Sequence, residues 1–525
     1  MGWLVFEFLV ATVVLAILSR RTGIAYPIVF VVAGAIMGFI PNLPDVELQP
    51  ETVFLIVLPI LLMSAAWTTD FNEFRKNLRP ISLLALGLVV FTTAMVAAIA
   101  HAVVDGISWP ACFALGAIIA PTDSIAAESI AESVALPRRV MTVLSGESLV
   151  NDASALIIYR FALAAALGGA FEAAQIVPQF FLVTIGGVAV GLVTAVVVAF
   201  LLKQLIEHDP SDEILPNVVL LISPFASYLV AERLQVSGVL ATVACGIWLS
   251  RKSSGLLTPD ARLLGYGIWE MLTYLLNAFV FLLLGLQLHR IVTTLGYASF
   301  NRLLFYGVVI SVAVIVLRFV WVFPSTYLPR VFSRRLRERD PSPPWQWIVV
   351  IGWSGMRGIV SLAAALALPL YVAARDAVLF ITFAVIFATL VVMGSTLPFV
   401  IKLLKVQDTS RMDRREVEIR IRALEEGMAR LRELEPTFDS EVEWEVQGRI
   451  VEEYRHRVEH LGGHLEGSDG DAPMENAVDH RLQGEALTAE RRAIQDMRRR
   501  GDIPDSIYRN IEYDLDLADA RLRAG

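Results

Sequence analysis

Residues 146–159 read GESLVNDASALIIY and carry two acids, Glu147 and Asp152, within an otherwise mainly apolar helical pattern. Neighbours such as Leu149 and Ile157 would place both carboxylates deep in hydrocarbon. An ionised side chain at the centre of a bilayer costs about 2.5–3.5 kcal/mol even on the lenient insertion scale. Two such side chains in one helix therefore indicate the handling of ions or protons.

The composition is that of a polytopic membrane protein. The chain has 525 residues, of which 56% are hydrophobic and 18% charged, with a net charge of −8. Apolar segments of membrane-spanning length fill residues 1–403, whereas residues 404–525 are charged and are predicted to form a helical tail. Within the tail, a flexible linker is predicted near residues 462–476. Without a basic groove or stacking motif, a nucleic-acid partner is not expected.

The distribution of basic residues predicts the topology. We count about thirteen candidate transmembrane helices, each long enough to cross the hydrocarbon core. If the N-terminus lies outside, the loops facing the cytoplasm carry 16 Lys and Arg residues and the opposite loops carry 4. This bias predicts a multi-pass protein of the cell membrane with a cytoplasmic tail. Thirteen helices also allow two inverted six-helix repeats, an architecture common in secondary transporters.

Helix-breaking sequences occur in roughly corresponding places of the two halves. They are APTDS at 120–124, WSGMRG at 353–358 and GST at 394–396. Pro121 removes a backbone donor, and an unwound turn after it would expose carbonyl groups beside Thr122 and Asp123. We therefore expect an all-α fold with broken helices that cross at mid-membrane. The alternative for Asp123 is a cap on the half-helix that follows a simple proline kink.

Helical spacing assigns the two acids of residues 146–159 to different partners. Ser148 and Asp152 are four residues apart and share a helix face, where they can form a hard oxygen site for a small cation. Glu147 lies about 140° around the axis from Asp152 and needs a buried cation. Arg357 is the best candidate for that cation. Arg318, in another predicted helix, is interpreted as structural, by pairing with an acid, contacting backbone or snorkelling.

Five motifs together resemble the bacterial NhaP-type and animal exchanger-type sodium/proton antiporters. They are TD at 122–123, GESLVND at 146–152, SGVLATVACGIW at 237–248, NAFVFLLLGL at 277–286 and WSGMRGIVSLAAALALP at 353–369. The resemblance covers nearly all of residues 1–403. It implies a homodimeric antiporter, not an enzyme, that exchanges a monovalent cation for a proton without a cofactor.

The resemblance also implies roles for individual residues. The implied cation and proton ligands are Asp152, Asp123, Thr122, Ser148 and Asn151, with Na⁺ held at Asp152, Asp123, Ser148 and the Thr122 carbonyl, and the implied structural ion pair is Glu147–Arg357. The Asn-Asp pair at 151–152 resembles the electroneutral branch of the family, which exchanges one cation for one proton. K⁺ in place of Na⁺ is the alternative substrate.

Two positions depart from the family pattern. Ser124 stands where the family usually has proline, so the helix break is expected to be shifted or milder. Ser64, within LPILLMSAAW at 58–67, stands where the family often has an acid. The contribution of that acid to pH response or ion coordination is therefore open for this chain.

Other classes of membrane protein fit the sequence less well. A cation channel or a sensor with a signalling tail would need a ring or run of coordinating groups along a pore, and the chain offers one compact site instead. An intramembrane hydrolase would need a Ser/His pair or metal ligands, and the one histidine of a predicted helix, His101, lies near a membrane edge.

Competition between a proton and Na⁺ for Asp152 is the expected mechanism.

Overall fold

The computed structural model of the chain consists of helices joined by short connections. It describes residues 2–40, 49–134, 136–167, 173–295, 297–370, 372, 374–406, 414–437, 439–466, 472–500, 511 and 514–518. The chain divides into two compact units, Met1–Asp408 and Thr409–Gly525. This division lies close to the boundary expected between residues 403 and 404.

Fifteen helices build the described part of the first unit. In chain order they are α1 (Gly2–Thr22), α2 (Tyr26–Met37), α3 (Pro50–Thr68), α4 (Leu78–Val103), α5 (Trp109–Ile119), α6 (Ser124–Val134), α7 (Arg138–Ala166), α8 (Ala173–His208), α9 (Ile214–Arg233), α10 (Gly238–Leu256), α11 (Pro259–Leu295), α12 (Tyr297–Phe332), α13 (Trp345–Trp353), α14 (Ile359–Leu366) and α15 (Arg375–Leu404). Short helices at Phe71–Lys76 and Arg334–Arg339 lie in connections between them.

The predicted all-helical membrane fold is confirmed. Within the described residues, 9 segments are long and apolar enough to cross a membrane, and they include the pair α5 and α6 counted together. Helices α1, α2 and α10 and the pair α13 and α14 account for the other predicted transmembrane segments. The total of thirteen remains a prediction.

Two of the three predicted helix breaks are present. Residues 120–123 separate α5 from α6, and residues 354–358 separate α13 from α14. Both breaks follow the local chemistry, because Pro121 cannot donate a backbone hydrogen bond and glycine disfavours a helix interior. The third sequence, 394–396, stays within α15 and directly follows a π-helical stretch at Ala388–Met393.

Contacts between helix ends and connections occur at both ends of the bundle. At one end, Arg139 pairs with Asp340 at 2.6 Å. At the other end, Arg302 lies 3.5 Å from Asp105, and the Tyr306 hydroxyl donates to the same carboxylate at 3.2 Å. Each contact joins two parts of the chain that the charge pattern predicts to lie on the same side of the membrane.

In the part of the tail that the structure describes, the three long helices are α16 (Arg414–Leu434), α17 (Glu441–Glu466) and α18 (Ala472–Arg500). At the start of α17, Glu443 accepts hydrogen bonds from the N–H groups of Asp439 and Ser440, which hold the pKa of its carboxyl below the usual range. Ser440 Oγ in turn accepts a hydrogen bond from the N–H of Glu443 at 3.2 Å, and this reciprocal cap explains where α17 begins.

The linker predicted near residues 462–476 is wrong at both ends. Helix α17 continues through Gly462 and Gly463 to residue 466, and α18 begins at residue 472. A glycine costs a helix only about 1 kcal/mol relative to alanine, which a 26-residue helix tolerates near its end. Residues 467–471, the centre of the predicted linker, lie outside the described residues.

Candidate functional site

The two unwound segments cross and bond to each other. The N–H of Asp123, in the first break, donates to the carbonyl of Met356 in the second at 2.8 Å. The Nε–H of Arg357, in the second break, donates to the carbonyl of Ile119 at the end of α5 at 3.0 Å. Each break therefore supplies partners for the backbone groups that the other leaves open, as buried backbone requires.

Guanidinium groups occupy the C-terminal ends of two half-helices. Arg357 caps the end of α5 through the Ile119 carbonyl. Arg318, from α12, donates to the carbonyl of Ile351 in the last turn of α13, with Nε at 3.3 Å and Nη2 at 3.0 Å. A positive charge is favourable there because the helix dipole is negative at its C-terminal end.

A carboxylate occupies the corresponding N-terminal ends. Asp123 Oδ1 accepts a hydrogen bond from the N–H of Ile125 at 2.9 Å, which caps α6. The second oxygen, Oδ2, lies against Gly358, the residue at which α14 starts. The cap thus uses one oxygen of Asp123 and leaves the other at the crossing.

Glu147 forms a buried ion pair with Arg318, so the predicted partner Arg357 is wrong. Arg318 Nη1 and Nη2 donate to the two carboxylate oxygens at 2.6 and 2.9 Å, and both residues are 1% exposed. Arg357 instead donates to the carbonyl groups of Ile119 and Gly355. Helical spacing defined the face of Glu147 but not the helix that packs on it, and α12 brings Arg318 to that face.

A chain of hydrogen bonds extends this ion pair towards the predicted ligands. Asn151 Nδ2 donates to the hydroxyl of Thr122 at 2.9 Å and to its carbonyl at 3.2 Å. The Thr122 hydroxyl then donates to Glu147 at 3.0 Å. All three residues are buried. Thr122 and Asn151 therefore lie behind the more accessible ligands, and the Thr122 carbonyl already accepts one bond.

Three of the predicted ligands share a more accessible face. Asp123, Ser148 and Asp152 are all half-buried, and the charges of Asp123 and Asp152 interact. Ser148 Oγ accepts a hydrogen bond from the N–H of Ser124 at 3.2 Å, which a proline at 124 could not donate. The carboxylate of Asp152 makes no hydrogen bond to any residue that the structure describes. These residues form an oxygen-rich face with two acids, and no guanidinium from the described part of the chain neutralises either acid.

At position 64, where the family often has an acid, the structure has a pair of hydrogen-bonded hydroxyl groups. Ser64 Oγ accepts a hydrogen bond from the Thr273 hydroxyl of α11 at 2.9 Å. The position therefore remains polar but carries no charge, and it ties α3 to α11.

Sequence reasoning missed the role of two glycines. A Cβ atom at Gly355 would overlap the side chain of Arg318, and one at Gly358 would overlap the carboxylate of Asp123. Both glycines are visible in the sequence GMRG at 355–358. The side chains that leave no room for a Cβ atom there come from α12 and from the first break, which the sequence does not place beside them.

If the crossing carries the expected cation/proton exchange, replacing Gly358 by alanine should reduce that exchange by about tenfold or more, because the new methyl group would push the Asp123 carboxylate from the crossing. The measurement is cation-driven proton movement in proteoliposomes. Gly267→Ala is the matched control, since a Cβ there meets no atom within 4 Å. Equal activity of the two variants would contradict the role expected of Asp123 at the crossing.

Comparison with known proteins gives a consistent family assignment. Residues 8–403 match the family described as "Sodium/hydrogen exchanger, transmembrane". An uncharacterized Na⁺/H⁺ exchanger of Escherichia coli, YjcE, is 31% identical over 98% of this chain and 98% of its own. A sodium, potassium, lithium and rubidium/H⁺ antiporter of Bacillus subtilis is 27% identical over 95% of this chain and 75% of its own.

A solved structure supports the fold. The sodium proton antiporter MjNhaP1 from Methanocaldococcus jannaschii superimposes with a TM-score of 0.60 at 19% identity, covering 77% of this chain and 98% of that protein. At this identity the likeness establishes the shared architecture.

Proposed function

Because the chain belongs to the sodium/hydrogen exchanger family, whose members are transporters and not enzymes, we propose that it exchanges Na⁺ for H⁺ with a 1:1 stoichiometry. The proposed ligands are Asp152, Asp123, Ser148 and the Thr122 carbonyl. Asn151 acts beside them as a neutral hydrogen-bond donor. Hard oxygen atoms of this kind suit an alkali cation.

The observation that carries this proposal is the contrast between the acids. Glu147 is fully buried and neutralised by Arg318. Asp152 and Asp123 are half-buried, and no guanidinium pairs with either of them among the described residues. A neutralised acid is suited to holding the fold, whereas an unpaired acid at a helix crossing is suited to binding a mobile cation.

Competition for Asp152 explains how the two fluxes are coupled. The carboxylate holds either a proton or a dehydrated Na⁺, and each neutralises its charge. An empty, ionised Asp152 is too costly to move through the membrane. Each Na⁺ carried in one direction therefore requires a proton to be carried in the other.

Alternating access requires that part of the molecule moves. We propose a homodimer in which a core domain, containing the helix crossing, moves against a stationary interface domain. The proposed location is the cell membrane, with the N-terminus outside and the tail in the cytoplasm, as the distribution of basic residues indicates.

K⁺ is the second candidate substrate. The Bacillus subtilis relative is named for sodium, potassium, lithium and rubidium, which favours a broad range of cations in this part of the family. Measuring pH-gradient dissipation by the purified protein against each alkali cation in turn distinguishes the two. A response to K⁺ equal to or above that to Na⁺ would replace Na⁺ in the proposal.

The competition is tested by measuring Na⁺ dependence at several pH values. If both ions use one site, the apparent KM for Na⁺ should rise by about tenfold per unit of decreasing pH once protons occupy Asp152, with the maximal rate little changed. A maximal rate that falls while KM stays constant would indicate a separate proton site.

Electroneutrality is a further expected result, because Asn151 stands beside the single transport carboxylate. A 1:1 exchange moves no net charge, so the membrane potential, worth about 2.3 kcal/mol per charge per 100 mV, does no work on the cycle. Proteoliposomes clamped with valinomycin and K⁺, with Na⁺ as substrate, should reach the same endpoint at either sign of the potential. An endpoint that follows the potential would contradict the 1:1 stoichiometry, and Asp123 would be the first residue to test as the carrier of a second proton.

A further inference from the structure

A cleft at one end of the bundle lies between four helices and is separate from the helix crossing. It is formed by the first turns of α4, α7 and α13 and by the last turns of α12. Its empty volume is about 570 Å³, including the part open to solvent. The loops at this end are those with the predicted cytoplasmic excess of Lys and Arg.

Three guanidinium groups of this cleft share one carboxylate. Arg139 Nη2 and Arg330 Nη2 donate to the two oxygens of Asp340 at 2.6 and 2.5 Å. Arg79 Nη1 is 3.9 Å from the same carboxylate, beyond hydrogen-bond distance. This group of four side chains therefore has two more positive charges than negative ones.

Arg79 is the member with free donors. Its Nη1 and Nη2 atoms are buried and make no hydrogen bond to any residue that the structure describes. Buried guanidinium nitrogens are normally satisfied, because a donor that loses water without gaining an acceptor is unfavourable. These two donors lie at the cleft, where an acceptor with negative charge would satisfy them.

Apart from Ser325 and Thr326, the rest of the cleft is apolar. Its wall is formed by Leu83, Val140, Val143, Val322, Ile348 and Ile351. Trp347 also lines it, and tryptophan is typical of the level of the lipid headgroups. Arginine side chains beside an apolar wall match a ligand with a phosphate at one end and hydrocarbon at the other.

We propose that this cleft binds a phosphate-bearing anion through Arg79, with Arg139 and Arg330 adding positive charge. When the anion is a lipid headgroup, the apolar wall receives the start of an acyl chain. The cleft also adjoins the ion pair, since Ile351 accepts the hydrogen bonds of Arg318 through its carbonyl. The bound anion is therefore expected to stabilise the transmembrane unit.

The test measures the melting temperature of the delipidated full-length protein in detergent. One arm adds phosphatidylglycerol, with phosphatidylcholine as its control, and the other adds inorganic phosphate against chloride at equal ionic strength. Phosphatidylglycerol should raise the melting temperature of the wild type, and Arg79→Gln should lose most of that rise. Arg75→Gln is the matched control, because Arg75 is exposed, precedes Arg79 by four residues and does not line the cleft.

A second variant distinguishes the sources of the phosphate. Ser325→Phe fills the cleft beside its apolar wall while keeping the three arginines. If a lipid is the ligand, this variant should lose the response to phosphatidylglycerol, whereas a response to inorganic phosphate that it retains would identify a soluble anion. No response of the wild type in either arm would overturn the proposal, as would equal responses of Arg79→Gln and Arg75→Gln.

Discussion

Replacing Arg318 by alanine is expected to lower the free energy of unfolding by about 3–5 kcal/mol, because it leaves the Glu147 carboxylate buried without a partner. The substitution also removes the donor to the Ile351 carbonyl at the end of α13. The measurement is thermal stability of the purified protein in detergent, together with the yield of folded protein from the membrane.

Two controls separate the ion pair from a general effect of losing an arginine. Arg302→Ala removes an exposed arginine from the same helix, where its ion pair with Asp105 should contribute little. Adding Glu147→Gln to Arg318→Ala should recover part of the loss, but adding it to Arg357→Ala should not. If Arg318→Ala is as stable as Arg302→Ala, or if the rescue occurs with Arg357→Ala instead, the assigned pairing is incorrect.

Replacing Asp152 by asparagine is expected to reduce exchange to the background of protein-free liposomes. Asparagine has nearly the same shape, but it cannot take up a proton or balance the charge of a cation. The folded protein should be retained, because the Asp152 carboxylate makes no hydrogen bond among the described residues. The measurement is Na⁺-driven proton flux in proteoliposomes, with thermal stability determined on the same preparation.

The matched control is Asp376→Asn, which changes an exposed aspartate in the first turn of α15. It should exchange at the wild-type rate. Substantial exchange by Asp152→Asn would show that another group carries the ions, and Asp123 would be the next carboxylate to test.

Local chemistry predicted the broken helices and the family. Pro121 and the glycines of the GMRG sequence predicted both crossing segments, because proline and glycine destabilise a helix at their own positions. The four-residue spacing of Ser148 and Asp152 predicted their shared, more accessible face. The resemblance to sodium/proton antiporters is confirmed by the family match over residues 8–403.

Long-range packing was less predictable. Two buried arginines, Arg318 and Arg357, were both available to Glu147, and sequence spacing does not tell which helix lies opposite a given face. In the structure, Arg318 pairs with the Glu147 carboxylate, whereas Arg357 donates to backbone carbonyl groups. In the tail, composition predicted a linker that begins at Gly462 and Gly463. Both residues lie inside α17, because a helix of this length tolerates the small cost of two glycines near its end.

The most direct test of coupled exchange follows pH inside proteoliposomes that contain the wild-type protein and a trapped pH dye. Adding Na⁺ outside, with no initial pH gradient and with the membrane potential clamped at zero, should make the interior alkaline as protons leave in exchange. Reversing the Na⁺ gradient should reverse the sign of the pH change. Uptake of radioactive Na⁺ without any change of interior pH would contradict antiport and would favour a channel.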